Sequence, residues 1–242
     1  MTKKTSIQEG SFRAPEKFHI TISHDGPYLI FGSPKLSIQS IETNKEGECW
    51  NFKEGATFNT EHQPTALCRC GASKKKPYCD GSHIKTEWSP ELTAPNKPLL
   101  EDAEFIEGAV ISLSDNESYC AFSRFCDAEG RTWNLVENED ENSCDIAIRE
   151  ANTCPSGRLS AWDKSLKEPQ EPSLEPSLAL IEDPSIGVSG PLWVRGGIPI
   201  AKEDGEEYEI RNRITLCRCG QSANKPFCDG THATIRFEDH LY

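Results

Sequence analysis

"LCRCGASKKKPYCDGSH" (residues 67–83) and "LCRCGQSANKPFCDGTH" (residues 216–232) place three cysteines and a histidine at one spacing, C-x-C-x8-C-x3-H, twice in a chain of 242 residues. Twelve of the seventeen positions are identical, and Cys68, Cys70, Cys79 and His83 recur as Cys217, Cys219, Cys228 and His232, each displaced by 149. Two cysteines one residue apart on an extended segment can both turn toward a metal where the chain bends. The third cysteine and the histidine stand four apart, so one helical turn would bring them onto the same face. Asp80-Gly81 and Asp229-Gly230 supply turn and capping chemistry between them, and Pro77 and Pro226 set the entry into that turn. The spacing predicts one metal centre per copy. Three thiolates and an imidazole also suit tetrahedral zinc, so spacing alone leaves zinc open.

The repeat extends upstream. "DGPYLIFGSPKL" (25–36) echoes "SGPLWVRGGIPI" (189–200), each a Gly-Pro, an apolar run, a glycine and a short turn. The Gly-Pro offset is 164, so the first copy carries 15 extra residues before its cysteines, and "KEGATFNTEHQPTA" is the expected site of the insertion. In "YEIRNRITL", Tyr208, Ile210, Ile214 and Leu216 alternate with Glu209, Arg211, Arg213 and Thr215, the period-2 pattern of a half-buried strand. Glycine and proline cut the remainder into short strands rather than helices. The chain therefore reads as mainly β with short helices: a first β-rich module over 1–97, a small α+β middle segment over 98–165, a Pro/Glu/Ser-rich linker over 166–179 and a second module over 180–242.

Composition narrows the class. Hydrophobic residues are 36% of the chain and the mean hydropathy is −0.60, so the modules have thin cores of the kind that a metal or a partner stabilises. The formal charge of −13, from 26 basic and 39 acidic residues, argues against a nucleic-acid footprint. The run Lys74–Lys76 is the one local exception and reads as a solvated loop. No secretory h-region opens the chain and no apolar run is long enough for a membrane helix, which places the expected compartment in the cytoplasm. Eleven cysteines in a reducing compartment favour metal over disulfides.

The residues between the ligands carry a resemblance. C-x-C-x2-S-x3-P-x-C-D-G-[ST]-H, met in full by both copies with Ser73, Pro77 and Ser222, Pro226, resembles the CDGSH signature of the NEET iron–sulfur proteins. The resemblance implies a [2Fe–2S] cluster in each motif. Cys68 and Cys70 would hold one iron, and Cys79 and His83 the other; Cys217 and Cys219, with Cys228 and His232, would do the same in the second copy. It also implies strands ahead of each ligand loop and an internal pseudo-dimer of the two modules. An oxidised [2Fe–2S] core carries +2, and one imidazole in place of a thiolate leaves the site at −1 rather than −2. The expected potential therefore falls between about −400 mV for all-cysteine plant-type clusters and about −150 to +300 mV for two-histidine Rieske centres.

The middle cysteines admit two readings. Cys120-x5-Cys126 and Cys154-Pro155, in "CPSGRL", resemble divergent single-cluster ferredoxin modules, which implies a third cluster on Cys120, Cys126 and Cys154, with Cys144 as the fourth cysteine at hand. The other reading is a ferredoxin-like piece whose cysteines only pack as small hydrophobes. The absence of a tight C-x2-C-x2-C run weighs toward the second. Cys49 has no counterpart in the second copy and reads as structural. His19, His24, His62 and His240 match no ligand spacing and read as surface residues.

No nucleophile–base arrangement, phosphate loop or nucleotide fingerprint is present, so no substrate site of its own is expected. The leading expectation is an electron carrier served by a flavin reductase or a ferredoxin-like partner. A cluster store or donor to an apo iron–sulfur acceptor, or a redox sensor, is the alternative, and a zinc-stabilised scaffold the third.

Overall fold

The computed structural model describes residues 5–241; the first four residues of the expected first module and Tyr242 of the second lie outside the described residues. The elements of the first copy are β1 (His19–Ile22), β2 (Tyr28–Phe31), β3 (Lys35–Thr43), β4 (Cys49–Phe58) and β5 (Thr65–Leu67). The middle segment contributes β6 (Glu104–Glu107), β7 (Ile111–Asp115), α1 (Thr132–Val136), α2 (Glu141–Thr153), β8 (Leu159–Asp163) and β9 (Glu168–Pro169). The second copy follows with β10 (Ser177–Asp183), β11 (Val188–Arg195), β12 (Ile200–Lys202), β13 (Arg213–Leu216) and α3 (Thr231–Thr234).

The two copies exchange strands. One sheet runs β12-β1-β2-β5 and the other β13-β11-β10-β3-β4, so β3 of the first copy completes the second sheet and β12 of the second copy completes the first. Both exchanged strands pair in parallel, Ile20 opposite Ile200 and Leu178 opposite Leu36. The pairs within each copy are antiparallel and correspond: Tyr28 faces Leu67 as Leu192 faces Leu216. The internal pseudo-dimer implied by the resemblance is thus an intertwined one. Ile20, Ile22, Ile30, Leu36, Leu178, Leu192, Val194, Ile200 and Leu216 form one shared core, all nearly inaccessible. Each such aliphatic side chain contributes roughly 1.5–3 kcal/mol by burial, and neither copy can bury its own without the other.

The extra length of the first copy sits only in part where expected. The offset between copies falls from 164 at Gly26/Gly190 to 158 at the turn glycines Gly47/Gly205 and 149 at the cysteines, so the insertion lengthens both arms of the β3–β4 hairpin. β4 is an exposed edge, and Lys53 and Glu54 on it discourage further strand pairing.

The middle segment is a four-stranded antiparallel sheet, β6-β7-β8-β9, packed on α1 and α2 around Leu113, Val136, Ala147, Ala151 and Leu159. Asp140 caps α2 by accepting from the Ser143 N–H at 2.9 Å. This unit lies against the second sheet. Consequently the stretch Tyr208–Leu216 is not half-buried: the regular strand is only Arg213–Leu216, and it is buried on both faces. Arg213 reaches into the middle segment, donating to the carbonyls of Ala151, Cys154 and Leu159 and to Glu171, a residue of the expected linker.

Candidate metal centre

Each ligand loop is closed by the strand before it. Cys68 N–H donates to Pro77 O at 2.9 Å and Cys79 N–H to Ala66 O at 2.9 Å; Cys217 to Pro226 O at 2.8 Å and Cys228 to Thr215 O at 2.9 Å repeat the pattern. Pro77 and Pro226 both follow cis peptide bonds. Ser73 and Ser222 tie the loop by donating to the carbonyls of Tyr78 and Phe227 at 2.6 and 2.7 Å. Asp80 accepts from Lys74 N–H and Ser82 N–H, and Asp229 from Ala223 N–H and Thr231 N–H.

These turns correct the expected helical turn between Cys79 and His83. Gly81 and Gly230 adopt φ of +84°, which stops any helix from running through them; a 3-10 turn, Ser82–Ile84, and α3 begin only afterwards. The carboxylate and the left-handed glycine together fold the histidine back toward its cysteine.

The side chains meet in pairs. Cys68 and Cys70 Sγ are 3.8 Å apart, and Cys79 Sγ lies 3.4 Å from His83 Nδ1. The second copy gives the same 3.8 Å for Cys217 and Cys219 and 3.4 Å for Cys228 and His232. Among the described residues, no group of three or more His, Cys, Asp or Glu side chains is gathered to hold one metal ion. Hydrogen bonding from Cys70, and the N–H groups of Ser73 and Gly71, pull the Cys68 thiol down to about 6 against the opposing effect of burial. Cys217 falls to about 7 through Cys219 in the same way. The same pairing pushes Cys70 and Cys219 up, so in each pair the first cysteine is the more easily deprotonated. Burial, and then Arg218, lower His232 to about 4, which keeps its imidazole in the neutral, coordinating form. A cysteine pair and a cysteine–histidine pair per site, in loops tied by backbone donors, fit a group with more than one metal.

The two loops lie back to back. A Cβ on Gly71 would sit 2.4 Å from Cys219 O, and one on Gly220 would sit 2.5 Å from Cys70 O; both glycines have positive φ. Three further residues were not singled out by the motif. Arg69 and Arg218, between the paired cysteines, each donate through Nε to the Gly-Pro turn of their own copy, Gly26 O and Gly190 O, both at 2.8 Å. Their recurrence in both copies was a visible signal. Tyr28 donates to Cys217 O at 2.8 Å across the pseudo-twofold, and its counterpart Leu192 cannot, so the repeat gave no hint of it.

The copies differ in their surroundings. His232 and Cys228 are only 4% and 3% exposed, whereas Cys79 and His83 are half-buried. Gly230 packs on the middle segment, where a Cβ would meet Cys120 O at 3.1 Å and Phe122 Cβ at 3.3 Å; around Gly81 nothing lies within 4 Å.

Of the middle cysteines, Cys120, Cys126 and Cys154 line one small cavity of about 20 Å³ together with Arg158. Burial, then Cys154, drives the Cys126 thiol well up, and Arg158, paired with Asp115 at 2.9 Å, couples electrostatically to all three cysteines. Cys144 is not there: it sits on the buried stripe of α2 with Ala147 and Ala151, its Sγ directed at Asn138 O at 3.9 Å. Cys49 is buried beside Ile181 and Trp193, and His19, His24, His62 and His240 are exposed.

An intertwined pair of β-rich modules, each offering three cysteines and a histidine as two pairs, defines a metal-binding protein. Residues 25–84 and 189–233 both match the family described as iron-binding zinc finger CDGSH type, and residues 106–164 match a divergent 4Fe-4S mono-cluster family. The chain thus carries two CDGSH-type segments flanking a divergent 4Fe-4S mono-cluster segment, which together mark an iron–sulfur protein. Comparison with curated proteins and with solved structures found no match. No helix among the described residues is long and apolar enough to cross a membrane.

Proposed function

We propose that the chain is an electron carrier holding a [2Fe–2S] cluster on each CDGSH ligand set and a third iron–sulfur cluster on Cys120, Cys126 and Cys154. The observation that carries this reading is contiguity. The Cys70–Gly71 backbone touches Cys219–Gly220, and Gly230 beside Cys228 touches Cys120, so the three sulfur sites follow one another without a break. The clusters supply one-electron exchange; the protein's part is to fix their spacing and exclude water. Tyr28 anchors one site to the other copy, and Arg69 and Arg218 hold the ligand loops on their sheets. Three cysteines match the irons of a three-iron cluster, or three corners of a cubane whose fourth iron takes another ligand.

A reductive titration followed by electron paramagnetic resonance tests the reading. Reversible uptake of one electron per end site is the expected result; irreversible loss of cluster on reduction, with transfer to an apo-ferredoxin in the oxidised state, would replace electron transfer by cluster donation. The histidine ligands make a second expectation. Imidazole coordinates only when deprotonated, so acid should release the end clusters at a pH below about 6.5. His83→Cys and His232→Cys should each lower the potential of one site and shift its acid release downward. An unchanged potential in either variant would remove that histidine from the ligand set.

A further inference from the structure

We infer that the first CDGSH site is the port of the chain, docking an electron-transfer protein with an acidic face through Lys74, Lys75, Lys85 and Ile84, while the second site is an internal relay. The inference rests on the cluster reading above. Of the five positions at which the two seventeen-residue motifs differ, Lys74 and Lys75 stand where the second copy has Ala223 and Asn224. Just past the motif, Ile84 and Lys85 correspond to Ala233 and Thr234. The substitutions follow the surroundings. Asn224 donates to Ser118 O at 2.9 Å and the Ala223 carbonyl accepts from Thr93, so that rim is tied to other parts of the chain. The rim of the first site is free: Ile84 is 81% exposed, and the ammonium groups of Lys74, Lys75 and Lys85 pair with no carboxylate among the described residues.

An exposed isoleucine next in sequence to Lys85, with Lys74 and Lys75 exposed on the same ligand loop as the half-buried Cys79 and His83, has the anatomy of a small docking face with an apolar centre and a charged rim. Lys76 belongs to the same run but is already engaged, donating to Ser73 O and lying 5.6 Å from the Phe237 ring centroid. Asp80 and Glu87 are the acidic groups close by in the sequence, and Asp80 is tied to the N–H groups of Lys74 and Ser82. The net charge of −13 opposes an acidic partner at long range. At physiological salt the screening length is about 8 Å, so the lysine rim governs the approach once the partner is near. On docking, the partner's reduced flavin or cluster is oxidised by one electron and the first site is reduced by one, with no bond made or broken. At the second site Cys228 and His232 are buried and Gly230 packs on the middle segment, so its ligands are not presented to such a partner.

The test uses the full chain and an acidic flavodoxin as the probe, with binding read by calorimetry and electron exchange by stopped-flow absorbance. The wild-type chain should bind with an affinity that falls as ionic strength rises. The K74E/K75E/K85E variant should bind at least about tenfold more weakly and exchange electrons correspondingly more slowly, since rim charges act on association and its salt dependence. The K74Q/K75Q/K85Q variant should fall between, and Lys45→Glu, on the remote β3–β4 turn, should match wild type. Equal affinity in wild type and both triple variants, with the cluster absorption retained, would overturn the port. A chain that lacks iron and sulfide yet still shows the lysine-dependent binding would keep the docking face and sink the cluster reading instead.

Discussion

Gly220→Val should strip cluster from both end sites, although Gly220 ligates neither. Its φ is +80°, where a β-branched residue is strained, and a Cβ there would lie 2.5 Å from Cys70 O and 2.8 Å from the carbonyl carbon. The obstacle is backbone, so no side chain can swing aside. Relief requires the first copy's ligand loop to move, and the contact is reciprocal because Gly71 meets Cys219 O at 2.4 Å. Gly220→Ala compared with Gly47→Ala isolates this effect. Gly47 has a φ of +85° but nothing within 4 Å of the added carbon, so it carries backbone strain alone, about 1–2 kcal/mol. We expect Gly220→Ala to cost several kcal/mol and to lower the iron content of both sites, and Gly47→Ala to leave iron unchanged. Equal melting temperatures and equal iron in the two alanine variants would remove the back-to-back contact from the account.

Arg213→Met should loosen the middle segment from the second module. The Arg213 side chain is fully buried; it donates to Ala151 O at 2.6 Å, Cys154 O at 2.8 Å, Leu159 O at 3.2 Å and both oxygens of Glu171. Removing one partner of a buried pair leaves the other charged and unpaired, which costs about 3–5 kcal/mol. Burial acts to raise the Glu171 pKa, but Arg213 and the hydrogen bonds from Asn212 and Ser160 hold it below the usual value. A depressed carboxylate contributes stability that is present above its unfolded pKa of about 4.3 and is lost as pH falls through the folded value. Without the arginine, burial dominates and Glu171 becomes easier to protonate. The gap in melting temperature between wild type and Arg213→Met should therefore narrow from pH 7 toward pH 4, and Glu171→Gln should restore part of the variant's stability at pH 7. A gap independent of pH would show that the ion pair is not what binds the segment. The Cys154 carbonyl is one of the acceptors, so the variant should also weaken cluster retention in the middle site.

Both residues lay in plain view in the sequence, yet neither role did. The ligand sets were legible because spacing within one loop fixes them, and the second copy repeats the pattern. Gly71 and Gly220 recur as part of that pattern, but what presses on them is the other copy, and spacing along one chain does not say which sheet β3 or β12 will join. Arg213 occupied the polar half of an alternating stretch, the mark of a solvent-facing strand; the middle segment covers that face, and the polar residue becomes a buried clamp. The expected helical turn between Cys79 and His83 is absent because the Asp-Gly pair makes a turn whose left-handed glycine interrupts any helix there. Cys144 could have been separated from its neighbours: with Ala147 and Ala151 it keeps the i, i+3, i+7 spacing of a helix core stripe. Cys120, Cys126 and Cys154 are grouped in the sequence by their resemblance to ferredoxin modules, and it is the packing of the middle segment that brings them to one cavity.

The most direct measurement is iron, acid-labile sulfide and zinc per chain in protein purified without oxygen. Two [2Fe–2S] clusters and a three- or four-iron cluster amount to about seven or eight irons and eight sulfides, and that is the result expected here. About four of each would confine the clusters to the CDGSH sites and leave the middle cysteines to packing. Zinc at about two per chain without sulfide, found also in protein from its native host, would contradict the account.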